Sequence, residues 1–295
     1  MNALPTSILP RTISTVILWL AIIIAYMIRS ESAFALLIAL PILVSLWEYF
    51  ALLKAGSIAH HPAMGMGAAI VLIGLNFWIL HSPDLLERCS IFPAEAAVFA
   101  LLTIVLLLRE CGRDTPGRPT ADAITFTLFG VVYIAWLFLF MAKILYLTPR
   151  DAQGYTTGQY LVLFVVAVTK FTDVGAFLCG SLFGRTPFFP NISPKKTWEG
   201  VLGALILAIL IGIGIFHFFG NHLPLYSVGL VCGLSLLFGI AGIAGDLAES
   251  LLKRSLETKD SGQALPGIGG GLDLIDSLLF TLPLFYFLYF LLPVS

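Results

Sequence analysis

Long apolar runs separated by short polar breaks dominate this chain. They fall at about residues 13–28, 33–53, 63–81, 94–108, 123–147, 160–183, 201–219, 226–244 and 275–293. Most approach the ~20 residues that an α-helix needs to cross a ~30 Å hydrocarbon layer at about 1.5 Å per residue. The run at 94–108 is the shortest. The first run is long for a signal peptide and only Arg11 precedes it, so it reads as an uncleaved helix. The pattern predicts an all-α, polytopic membrane protein with about nine transmembrane helices. About five form an N-terminal set over residues 1–150. The rest lie in 151–295, where the polar chemistry concentrates.

Composition narrows the class further. Of 295 residues, 59% are hydrophobic and 11% charged, against ~25% charged in ordinary soluble domains. Such a chain cannot build the polar shell of a cytosolic enzyme, a nucleic-acid binder or a secreted domain. Its net charge of −1 offers no overall field for a polyanion. The four cysteines, Cys89, Cys111, Cys179 and Cys232, have no metal-ligand or disulfide spacing and read as small buried thiols. The five histidines read as loop and interface residues.

The basic residues orient the spans. With nine crossings, eleven of the sixteen lysines and arginines fall on one side and three on the other; Lys143 and Lys170 lie inside spans. The rule that basic loops stay inside then puts the N-terminus in the cytoplasm and the C-terminus outside.

Three segments carry candidate chemistry, and their loops all reach the basic side. In Lys170–Gly184, Lys170 and Asp173 share a helix face within an apolar span. Intramembrane charges are expensive and face a partner or a wet cavity; the plainer explanation is an ion pair that only orients helices. In Asn191–Gly200 (NISPKKTWEG), Ser193, Lys195, Lys196 and Thr197 are expected at the start of a helix. There, free N–H groups and the helix dipole favour phosphate. The plainer explanation is a basic anchor with a Ser or Thr cap.

The third segment, Gly245–Ser277, is the richest. Asp246, Glu249, Ser250 and Lys253 follow helical spacing on one face. Arg254, Lys259 and Asp260 come next, then a Gly-rich stretch from Pro266 to Gly271. Asp273 and Asp276 lie on the opening turns of the last span. Carboxylates from two helices, brought together by such a loop, suit a hard cation such as Mg2+. Ordinary loop salt bridges account for the charges but not for acids leading directly into an apolar span.

These motifs resemble those of the phosphatidate cytidylyltransferases, also called CDP-diacylglycerol synthases. The resemblance rests on Ser250, Lys253, Arg254, Lys259, Asp260, Gly262, Pro266, Gly267, Gly269, Gly270, Asp273 and Asp276. Upstream, Asp173-Val174-Gly175-Ala176 and Ser193 through Gly200 are also similar to that family, with Trp47-Glu48 a weaker feature. It covers the C-terminal half, about 170–277. Two positions depart: Ile268 stands where the family usually has His, and Leu274 where it usually has Arg.

The resemblance implies that CTP and phosphatidate are condensed to CDP-diacylglycerol and pyrophosphate. It implies Asp246 and Asp273 as catalytic metal ligands, with Asp276 a third ligand or its neighbour. Lys253 would be catalytic, beside Ser193, Lys195, Lys196, Thr197, Arg254, Lys259, Asp260 and Asp173 for substrate binding. Mg2+ or Mn2+ is the implied cofactor, with a monovalent cation as a further option. Partners are membrane lipid and the two substrates, with a homodimer admitted and no nucleic acid. The expected location is the inner (plasma) membrane, with the active site on the cytoplasmic side. Two rivals are a CTP-dependent polyprenol kinase and a transporter built around Lys170 and Asp173.

Overall fold

A computed structural model describes residues 20, 24, 26–28, 30–82, 90–112, 117–148, 157–223, 227–256 and 270–291. Among them, eight helices are long and apolar enough to cross a membrane. We number them α1 (Glu31–Ala55), α2 (Pro62–His81), α3 (Ile91–Cys111), α4 (Arg118–Leu145), α5 (Gln159–Phe183), α6 (Trp198–Phe219), α7 (Val228–Ser255) and α8 (Gly271–Tyr289). They coincide with eight of the nine predicted runs. The remaining run, 13–28, lies largely outside the described residues.

One element was not expected. Residues Pro187–Phe189 (β1) and Ser193–Thr197 (β2) pair as an antiparallel hairpin. Ser193, Lys195 and Lys196 therefore lie on a strand, and the helix begins only at Trp198. The physical reason is local. Pro194 disfavours helical geometry at Ser193 before it, and Thr197 is the extended residue that caps α6, its hydroxyl oxygen accepting from Gly200 N at 3.2 Å. A second correction concerns the thiols. Cys111 is exposed and Cys179 and Cys232 are only half-buried, all three free.

The chain forms two compact units. One runs to Lys143 and takes in Leu256–Ile275; the other comprises Ile144–Ser255 and the chain from Asp276 onward. In the first, the Tyr49 hydroxyl donates to Phe126 O at 3.0 Å and locks α1 to α4. Glu48 of α1 accepts from Leu272 N, at the start of α8, at 3.2 Å. His61 and Glu110 form a buried pair at 2.7 Å.

This unit also buries an ion pair. Lys143 Nζ lies 2.7 Å from Glu95 Oε1, and the same carboxylate accepts from Asn76 Nδ2 at 2.9 Å and Trp136 Nε1 at 2.8 Å. Trp136 closes a π-helical turn, Val131–Trp136, that interrupts α4. Lys143 also sits over the Phe140 ring, 4.3 Å from its centroid.

In the second unit, α5 and α6 meet along a seam of small residues. A Cβ on Gly175 would stand 2.7 Å from Gly203 O, and one on Gly200 would stand 2.9 Å from Ala176 O. Small residues let helix backbones approach where lipid supplies no hydrophobic drive. The same device brings α7 onto α8: a Cβ on Gly245 would lie 2.6 Å from Asp276 O and 2.9 Å from Ser277 Cα.

Candidate active site

The close approach at Gly245 sets the position of the next residue, Asp246. On α7, Asp246 and Glu249 share a face, and α8 presents Asp276 to it. One carboxylate oxygen from each of the three lies within 4.8 Å of the others. Three elements answer these acids with lysines. Lys196 of β2 reaches Asp246 Oδ2 at 2.6 Å. Lys253, one turn along α7, reaches Glu249 at 2.8 Å. Lys170 of α5 stands 3.9 Å from Asp276 Oδ1, 2.9 Å from Ser277 Oγ and 3.4 Å from Asp173 Oδ2.

Asp276 is further fixed by its neighbour. Its Oδ1 accepts from Ser277 N at 2.5 Å and from Ser277 Oγ at 3.1 Å. Asp276 and Glu249 are buried, whereas Asp246 and Asp173 are partly open. The result is a polar centre in which three lysines meet four carboxylates. Such a donor set, all oxygen and anionic, fits a hard divalent cation. The cations beside it could take phosphate oxygens in place of their present carboxylate partners.

The other predicted residues fall into three groups. Asp273 belongs to the opening turn of α8, where its carboxylate accepts from Gly270 N at 2.9 Å; it is not one of the three clustered acids. Ser193 is half-buried on β2, Lys195 is exposed, and Thr197 caps α6. Arg254 Nε reaches Ile192 O at a long 3.5 Å, from α7 to the turn of the hairpin. Lys259 and Asp260 lie outside the described residues, as does Ile268. Leu274 is half-buried on α8.

Three participants were not named among the expected site residues. Glu249 completes the acidic cluster, and its spacing of three from Asp246 was the available signal. Lys170 is more than half of an ion pair, since it bridges α5 to Asp276 and Ser277. Ser277 itself carried no signal beyond its place after Asp276.

The chain is similar to known proteins along most of its length. A model of the cytidylyltransferase family matches residues 9–292. The phosphatidate cytidylyltransferase of Haemophilus influenzae is 30% identical over 95% of this chain and 98% of its own length. That of Synechocystis is 32% identical over 96% of this chain and 97% of its own. The uncharacterized protein YnbB of Escherichia coli is 40% identical, over 55% of this chain and 49% of that protein. With matches that run nearly end to end through the helices and the acidic centre, this chain belongs to the cytidylyltransferase family.

Proposed function

We propose that the chain condenses CTP with phosphatidate to give CDP-diacylglycerol and pyrophosphate. The observation that carries this reading is the set of three clustered carboxylates, each with its own lysine, on a membrane-embedded scaffold of this family. A phosphatidate oxygen attacks the α-phosphorus of CTP. The bond from that phosphorus to the β-phosphate oxygen breaks, and pyrophosphate leaves. The nucleophile is already an anion, so placement and charge neutralisation matter more than a strong base.

Asp246, Glu249 and Asp276 would hold Mg2+ or Mn2+, which would neutralise triphosphate charge. Asp273, one turn before Asp276 on α8, stays a candidate for the same service. Lys196 and Lys253 trade carboxylate partners for phosphate oxygens as the nucleotide arrives. Lys195, Arg254 and Lys259 add positive charge nearby in sequence. Lys170, tied to Asp173, Asp276 and Ser277, keeps the Asp276 carboxylate in place. The excess of basic residues in the loops expected on one side supports a cytoplasmic position for this centre at the inner membrane, with acyl chains entering laterally from the bilayer.

The test is purified protein in detergent with CTP, phosphatidate and Mg2+, scored for a CMP-bearing lipid and pyrophosphate. Both products should appear, and chelation of divalent ions should stop their release. Phosphorylation of a polyprenol in parallel assays, with no CMP-lipid, would replace this reading with a lipid kinase.

A further inference from the structure

Glu199 stands on the first turn of α6, two residues after the strand that carries Lys195 and Lys196. Its carboxylate accepts three hydrogen bonds from the segment entering the hairpin. Arg185 N and Thr186 N donate to Oε2 at 3.1 and 3.2 Å, and the Thr186 hydroxyl donates to Oε1 at 3.0 Å. Trp198 N donates to Thr186 O at 3.0 Å, and the Trp198 ring packs edge-on against Phe188 at 4.4 Å. Both ends of the hairpin are thus tied at its base.

The hairpin needs that tie. Its strands have three and five residues and an irregular register, and an isolated pair of strands is marginal in water. Pro187, Pro190 and Pro194 remove three backbone donors from the segment. A further link, from Arg254 to Ile192 O, is long at 3.5 Å. Yet β2 must hold Lys196 to within 2.6 Å of Asp246. A carboxylate receiving two backbone N–H groups and a hydroxyl is a strong, charge-assisted fixture.

We propose that Glu199 is a positioning residue: by clamping Arg185 and Thr186 it sets where β2 lies, and so presents Lys196 to the reaction centre. The proposal rests on the reading of Lys196 as a phosphate-binding group. Glu199 acts through the backbone of the hairpin, and its loss is felt as misplacement of Lys196. A displacement of about 1 Å is enough to take an N–H···O contact to phosphate out of hydrogen-bond range.

The test is steady-state CTP kinetics on the purified full chain for Glu199→Ala, Glu199→Gln, Thr186→Val, Lys196→Ala and the double variant Glu199→Ala/Lys196→Ala. Glu199→Ala should raise KM for CTP about ten-fold with kcat within about three-fold of the parent. Glu199→Gln, which keeps an acceptor oxygen, should recover most of that loss. Thr186→Val should raise KM about two-fold. The double variant should match Lys196→Ala alone. Losses that multiply would overturn the proposal and leave the Lys196 reading intact. A Lys196→Ala enzyme with unchanged KM would overturn both. Should Glu199→Ala fail to fold, Thr186→Val combined with Lys196→Ala decides by the same criterion.

Discussion

Both units of this protein bury charge within their helices, and they do so in opposite ways. In the first unit, Lys143 and Glu95 form one pair whose side chains are 1% and 2% exposed, completed by Asn76 and Trp136. In the second, Lys196 and Asp246 are 23% and 33% exposed and belong to a larger group of unequal charge. A sealed, neutral pair has its partners and is closed to anything else. A partly open group with surplus acid has affinity left for a cation and its lysines within reach of a polyanion. The contrast separates charge that only holds helices together from charge still open to a ligand.

Removing an acid from the open group should have the largest effect. Asp246→Asn and Asp276→Asn should each lower turnover by about a thousand-fold, measured as CMP-lipid formation, while the protein stays in the membrane with its melting temperature little changed. Wild-type turnover in either would dissolve the contrast. The sealed pair should behave in reverse. Lys143→Met strands Glu95 and should lower stability by about 3 kcal/mol, read from thermal unfolding in detergent, with activity per folded molecule unchanged. Adding Glu95→Gln should recover much of that stability.

Smaller changes sharpen the same comparison. Gly245→Ala places a methyl against Asp276 O and Ser277 Cα. It should part α7 from α8, lowering stability by about 1–3 kcal/mol and activity along with it. Lys196→Ala should raise KM for CTP about ten-fold, the size of one lost charge-assisted contact. Leu274→Arg and Ile268→His, which restore the motif that the resemblance implies, should change the rate by less than about three-fold.

The eight described spans were legible because an apolar run of some twenty residues has few other uses. The shared face of Asp246, Glu249 and Lys253 was equally plain from helical spacing. The hairpin was not, since strands this short, broken by Pro187, Pro190 and Pro194, read as loop. The pairing across elements, of Lys196 with Asp246 and of Lys170 with Asp276, was hidden for a different reason. It depends on which helix faces meet, and that follows from glycines such as Gly245 and Gly175, whose role is visible only once a neighbouring backbone lies against them. Glu199 was quoted within its motif, but its task is set by the backbone of Arg185 and Thr186, more than ten residues earlier.

The bond between Glu95 and Lys143 also bears on how the nascent polypeptide enters the bilayer. α3 carries the acid on its second turn and α4 the base in its last turn, and a charge in a lone apolar span opposes insertion, less so toward its ends than at its centre. Partitioned one after the other, both segments are handicapped; delivered as a helical hairpin, they neutralise one another before meeting lipid. Insertion of α3 would then be helped by α4, across the short connection from Cys111 to Arg118.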